Sequence, residues 1–234
     1  MSSTEPLDAG ASLLGALRDN EATRAHEDAL ANLDPDVLAS ALDTDDRRLA
    51  FWLNVYNAYA QLLLERWPAE YERSRRRFFG HKAIPVAGEW LSLDDIEHGI
   101  LRRSRSGLGL GYLPRLWPSA FERRHRVTER DWRIHFALNC GAKSCPPIRV
   151  YEADRIDEQL ELATASYLEQ EVAYDEQAGV VRVPRLMLWY RGDFGGGTGI
   201  GEILQRFGHM SNNPDVPIRY REYNWSISVE PFVE

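Results

Sequence analysis

The chain reads as an α+β protein: a single globular domain with helices packed on a small, mostly antiparallel sheet and an N-terminal helical extension. Three observations lead there. Apolar residues recur at helical spacing over residues 45–66 and 154–172. Short β-prone runs, such as residues 82–91 and 180–183, are bounded by turn residues. Hydrophobic residues make up 44% of 234, with 10 Tyr, 8 Phe and 7 Trp, enough for a substantial core. The domain is expected over residues 45–234, with residues 1–44 as the extension.

Residues 8–18 and 21–32 show short amphipathic patterns. Asp34 followed by Pro35 is an N-cap with proline in the first turn, and opens a helix to about Leu42. From Asp45 to Arg66, Leu49, Trp52, Leu53, Tyr56, Tyr59 and Leu63 share one face, so a long helix is expected, ended by Pro68. Lys82–Val86 and Glu89–Leu91 form a hairpin around Ala87-Gly88. Ser92-Leu-Asp-Asp95 resembles a capping box and starts a helix through Arg103. Residues 104–118, rich in Gly, Ser and Pro, form a loop.

Trp132, Ile134, Phe136 and Leu138 alternate with Arg133, His135, Ala137 and Asn139. Period two predicts a strand over 132–139 that places His135 and Asn139 on one face, with a helix as the alternative. Asp154–Val172 is a second long helix with Ile156, Leu160, Ala163 and Tyr167 inward. Val180–Val183 is a strand, Arg185–Tyr190 a short helix, and Ile200–Gly208 a helix after a glycine loop with Thr198 as N-cap. Residues 218–223 and 226–229 are terminal strands.

Composition narrows the function classes. A net charge of −8 disfavours nucleic acid as the main partner, because phosphate binding is driven by cation-dependent counterion release. No apolar run approaches the roughly 20 residues that span a bilayer. The N-terminus has no basic region or apolar segment of the signal-peptide type, so the expectation is a cytoplasmic protein with reduced thiols and no membrane partner.

Both cysteines fall within the stretch His135-Phe-Ala-Leu-Asn139-Cys140-Gly141-Ala-Lys143-Ser144-Cys145-Pro146-Pro147. A thiol becomes a nucleophile when an imidazole or a cation stabilises its thiolate. Cys140 and Cys145 are the candidate thiols, and His135 and His98 the candidate imidazoles. Glu97, Asn54 and Asn57 are candidate orienting groups, and Asn139 stands beside the first thiol. The backbone N–H groups after Cys140-Gly141 can form a nest for an oxyanion. The bland alternative is a packing role, since small thiols are often buried as weak hydrophobes. The four residues between the cysteines exceed the two of a thioredoxin-type motif, although a local disulfide is sterically possible. Two Cys with His135 and His98 match no standard zinc spacing, so no metal and no cofactor are expected.

Asn54, Asn57 and Gln61 sit amid apolar residues of the long helix, where amides are costly unless hydrogen-bonded. They either tie down a neighbouring loop or face the pocket of His135. Glu97-His98 reads more readily as a surface pair than as a dyad. The run Gly192–Gly201 lacks the Gly-Lys-Ser/Thr ending of a P-loop and follows no clear strand, so it is expected to be a flexible loop.

Three blocks, Phe51–Ala58, Leu91–Arg102 and Arg133–Pro147, together resemble the uncharacterised DUF547 domain, and Trp189–Phe194 and Tyr223–Ser226 are similar to its later motifs. The resemblance runs over about residues 45–229. It implies characteristic positions at Asn54, Asn57, Glu97, His98, His135, Cys140 and Cys145. Residues 195–201 look like a local insertion, and Asn224 stands where the pattern has Asp. The resemblance carries no established activity, and some members hold the domain beside interaction modules. The expectation is a thiol-centred pocket of a hydrolase or acyl transferase; the alternative is a non-catalytic interaction module with a structural Asn/His/Cys cluster. The substrate or protein partner is unknown.

Overall fold

A computed structural model describes residues 5–210, 216–228 and 232–233. It is an α+β domain. Three helices, α1 (Ala9–Arg18), α2 (Arg24–Ala31) and α3 (Pro35–Ala41), precede the long α4 (Asp45–Arg66). Asp34 caps α3 by accepting from the N–H groups of Asp36 and Val37. Thr44 caps α4 through Arg47 N–H. Leu13, Leu14, Leu30 and Leu38 are buried in the same core as α4, whose Trp52, Tyr56 and Tyr59 are almost wholly enclosed. Burying one such aromatic is worth about 1.5–3 kcal/mol, so α4 is the axis of the fold.

Two short helices follow, α5 (Pro68–Arg73) and α6 (Arg75–Gly80), then β1 (Ile84–Val86) paired antiparallel with β2 (Glu89–Leu91). Ala87 and Gly88 both have positive φ, 50° and 76°, the turn that matches strand twist in a two-residue hairpin. Ser92 and Asp95 form the expected capping box: Asp95 N–H donates to Ser92 Oγ at 3.1 Å, and Ser92 N–H to Asp95 Oδ2 at 3.0 Å. The helix it opens is wider than expected. Asp95–Leu101 is a π-turn, with Arg102 N–H bonding Glu97 O at 2.8 Å, five residues back.

A loop leads to α7 (Ala120–His125) and leaves Leu108, Leu116 and Trp117 exposed. The strand expected over 132–139 is not formed. Trp132–Phe136 is a 3-10 turn opened by the Asp131 carboxylate, which accepts from Arg133 N–H. Every residue from Ile134 to Asn139 is buried, so alternation did not mark a wet and a dry face. The turn bridges two cores: Ile134 and Ala137 pack around α4, and Phe136 packs into a second cluster with Leu186, Met187, Phe194 and Ile200.

The second cluster draws on α8 (Ile156–Glu171), β4 (Val180–Val183), α9 (Leu186–Trp189), α10 (Gly196–Arg206) and β5 (Ile218–Tyr220), with the more exposed β3 (Ala173–Asp175) paired to β4. The three strands run in the order β3-β4-β5, the first pair antiparallel and the second parallel. The glycine run is not a flexible loop. Gly195, at φ 77°, caps α10, and Thr198 lies inside the helix, which the buried stripe Ile200, Ile203 and Leu204 holds in place. The expected strand at 226–229 is reduced to one bridge, Ile227 with Ala142; Val229 lies outside the described residues. Among the described residues, no helix is long and apolar enough to cross a membrane.

Candidate functional site

A cavity of about 190 Å³ opens between the two cores. Cys140, His135, His98, Glu97 and Asp94 reach it, as do Tyr56, Tyr190 and Tyr223, and its apolar walls include Phe79, Leu138, Leu186, Trp189 and Trp225. Segments distant in sequence thus converge on one point. The π-turn contributes Glu97 and His98, the 3-10 turn His135, the cysteine loop Cys140, and the α9 end Tyr190.

The three asparagines do not line the cavity. Asn54 holds the backbone of Tyr151 at two points, each 2.8 Å, donating to its carbonyl and accepting its N–H. Asn57 does the same for the turn, donating to Ala137 O at 3.0 Å and accepting Asn139 N–H at 2.9 Å. Asn139 then donates to Pro146 O and accepts from Gly141 N–H and Gln61. A chain of amides from α4 therefore fixes the cysteine loop, satisfying buried polar groups that would otherwise be costly.

The same bonds rule out the expected oxyanion nest. Cys140 N–H donates to Cys145 Sγ at 3.0 Å, Gly141 N–H to Asn139, Lys143 N–H to Ser226 O and Ser144 N–H to Asn224 O. No imidazole bonds either sulfur among the described contacts. Both cysteines are free, and the Tyr223 hydroxyl meets Cys140 Sγ at 3.3 Å and Cys145 Sγ at 3.2 Å. The Cys145 thiol, the Tyr223 hydroxyl and the Ala142 N–H hold Cys140 below the ordinary thiol value, against its burial. Burial, with the neighbouring Cys140, pushes Cys145 well above it. The two thiols are thus unequal: Cys140 is half-buried and reaches the cavity, whereas Cys145 is buried.

His135 is 5% exposed, stacks on Tyr190 at 3.9 Å and presents Nε2 to Asp193 Oδ2 at 3.0 Å. Burial lowers its basicity, with the Asp193 hydrogen bond opposing. Asp193 also accepts from Arg102 Nε at 2.6 Å and Arg130 at 3.1 Å. Burial works to raise this carboxyl, but the bonds from His135 and Arg102 hold it ionised, well below the usual carboxylate range. An ionised carboxylate only accepts, so the Nε2 of neutral His135 carries the proton and Nδ1 the free lone pair.

His98 has the opposite polarity. Its Nδ1 lies 3.0 Å from Arg102 Nη1, and a guanidinium only donates, so in the neutral ring the proton sits on Nε2. Glu97 packs beside it, with Oε1 at 3.4 Å from Nδ1 and Oε2 accepting from the Tyr56 hydroxyl at 3.4 Å. Burial works to raise Glu97, but His98, Arg102 and the Tyr190 hydroxyl hold it below its ordinary value. The pair expected at the surface is in fact part of the cavity wall, Glu97 buried and His98 half-buried. Among the described residues, no group of three or more His, Cys, Asp or Glu is arranged to hold a metal ion.

Asp193, Arg102, Tyr190 and Tyr223 are central here and were not singled out as site residues from sequence. The available signal was the Trp189–Phe194 block, which carries Asp193 and Tyr190. Gly192 is what lets Asp193 sit so deep: a Cβ there would come within 2.7 Å of the Gly111 backbone carbonyl carbon. Its N–H donates to Leu110 O at 2.7 Å, drawing the 104–118 loop over the carboxylate.

Residues 40–168 match the family described as "Protein of unknown function, DUF547", and the chain belongs to it. No curated protein matches, and no solved structure matches. The matched span holds Cys140, Cys145, His135, His98 and Glu97, whereas Asp193, Tyr190 and Tyr223 lie after it.

Proposed function

For this member of the DUF547 family, we propose a thiol-dependent acyl transfer, as a hydrolase or transferase acting on an amide, ester or thioester. The observation that carries the reading is a single cavity shared by an activated thiol and two imidazoles of opposite polarity. Cys140 transfers its proton across the cavity to His135 Nδ1, and the thiolate attacks the acyl carbon. The carbonyl π electrons move to oxygen, where the His98 Nε2–H is the available donor in place of the backbone nest. Collapse expels the leaving group, which takes the proton from His135. Water or a second nucleophile then releases the acyl group from Cys140. Asp193 orients His135 and stabilises its protonated form, as the acid of a triad does. A volume of about 190 Å³ admits the reacting end of a substrate rather than a whole drug-sized molecule.

Labelling with a panel of thiol-reactive acyl probes tests this. Cys140→Ala should abolish labelling and Cys145→Ala should retain it. Two thiols inert until denaturant is added, or equal labelling of Cys140→Ala, would remove the enzyme reading. The interaction-module reading draws on a different observation, the loop that leaves Leu108, Leu116 and Trp117 exposed. On that reading Cys140 is unreactive in the folded protein.

A further inference from the structure

A wider recess of about 430 Å³ adjoins the thiol cavity, and Asp94 and His98 form a wall common to both. Arg76, Arg105 and Arg115 line it, in a chain where 36 acidic residues outnumber 28 basic ones. These guanidinium groups are not equivalent. Arg115 is engaged, with Asp95 at 2.9 Å and Glu122 at 3.3 Å. Arg105 donates to Tyr112 O at 3.0 Å, and no carboxylate lies within ion-pair distance of it or of Arg76 among the described residues. Arg105 also has like charges nearby: partial burial and then Arg130 act to lower its pKa, Asp193 opposes them, and Arg102 and Arg103 add to the lowering. The one carboxylate in the lining, Asp94, lies 3.8 Å from His98 Nε2.

Gly107 leaves the route between recess and imidazole open. A Cβ at this position would come within 2.7 Å of His98 Nε2, so any side chain would press on the ring. Two guanidinium groups without an ion pair and the His98 ring therefore face one recess. Guanidinium forks match carboxylate and phosphate oxygens bidentately.

We propose that this recess binds an anionic group, a carboxylate or a phosphate, at one end of a ligand whose other end enters the thiol cavity. The assignment of that second end rests on the acyl-transfer reading; anion binding at Arg76 and Arg105 does not.

Paired alkylation tests the proposal on the full-length protein. Cys140 modification by iodoacetate and by iodoacetamide is followed by mass spectrometry, with the chain in denaturant as reference. The anionic reagent should gain about tenfold over the neutral one relative to the unfolded chain. The gain should collapse in high salt and in Arg76→Gln/Arg105→Gln. Arg76→Gln alone, which removes no ion pair among the described residues, should show part of the loss if the double variant folds poorly. A rate ratio equal to that of the unfolded chain, or unchanged in these variants, would overturn the proposal while rapid iodoacetamide labelling left the thiol reading standing.

If Cys140 is inert to both reagents, the thiol reading fails and a second measurement decides the recess. Inorganic pyrophosphate and succinate are titrated while the His98 ring signals, assigned with His98→Gln, are followed by NMR. Saturable shifts that vanish in Arg76→Gln/Arg105→Gln support the site, and the tighter of the two anions distinguishes phosphate from carboxylate. Absence of a saturable shift with either anion at millimolar concentration overturns it.

Discussion

His125, at the end of α7, and His135, in the 3-10 turn, are both buried, at 1% and 5% exposure, yet their rings are held in different ways. Both ring nitrogens of His125 lack a hydrogen-bond partner, and its neighbours are Phe121 at 4.3 Å and Trp52 at 6.0 Å. Burial pushes its pKa down to about 4, with the nearby Arg124 and Arg48 adding to the effect. It is an aromatic packing piece that happens to titrate. His135 is as deeply placed but gives one nitrogen to an ionised carboxylate and leaves the other with a lone pair beside a cavity. Burial alone makes an imidazole inert. Burial beside an oriented carboxylate makes it directional.

The largest effect that can break this contrast lies at Asp193. Asp193→Ala leaves Arg102, 1% exposed, without its carboxylate, and should cost about 3–5 kcal/mol in equilibrium urea unfolding. His125→Leu removes two unpartnered nitrogens and should lie within about 1 kcal/mol of wild type. Equal losses in the two variants would mean that His125 is as structurally wired as His135.

His135→Gln comes next. Glutamine can still donate to Asp193 but loses the Tyr190 stack and the titratable ring, so about 1–3 kcal/mol of stability should go. Alkylation of Cys140 should slow to the rate of an ordinary buried thiol. Lower stability with unchanged Cys140 reactivity would leave His135 a structural residue only.

A pH series sharpens the other half. A folded-state pKa of about 4 for His125 against 6.5 unfolded means the unfolded chain binds the proton first. Its neutral form is therefore fully compatible with folding above about pH 6.5, and stability falls as pH drops from there towards 4. The difference in melting temperature between wild type and His125→Leu should grow across that window, in favour of the variant. Parallel curves would place His125 in contact with water.

The smallest effect is expected at Cys145→Ala. It removes the thiol that stabilises the Cys140 thiolate, so the pH midpoint of Cys140 alkylation should move up, with a stability loss of about 1 kcal/mol. An unmoved midpoint would show that Cys145 does not help to set the reactivity of Cys140.

Local signals in the sequence located most of the frame. The apolar face from Leu49 to Leu63, the Asp34-Pro35 cap, the Ala87-Gly88 turn and the Ser92–Asp95 box each encode their structure within a few residues, and each is found where expected. The segment around His135 misled because Trp132, Ile134 and Phe136 alternate while packing into two different cores; period two then reports neither a sheet nor a face. The glycine run misled because glycine weakens a helix locally, and Ile200, Ile203 and Leu204 supply the tertiary packing that overrides it. The cysteine block and Glu97-His98 could be identified as candidates from residue type alone. Their division of labour could not, because it depends on Asp193, far along the chain, and on which nitrogen each ring offers to Arg102 or to a carboxylate.

The π-turn at Asp95–Leu101 has a consequence for how this chain can vary in length. A turn closed from residue i to i+5 holds one residue more than an α-turn, the arrangement left by a single insertion in an ordinary helix. Each residue of a helix swings its neighbour by about 100°. Deleting one residue between 95 and 101 would restore a regular helix and rotate Glu97 and His98 against Arg102 by about that angle. Either the imidazole would leave the cavity wall or the guanidinium would leave Asp193. The spacing from Glu97 to Arg102 is therefore a ruler: a relative that is one residue shorter here has lost one end of the array.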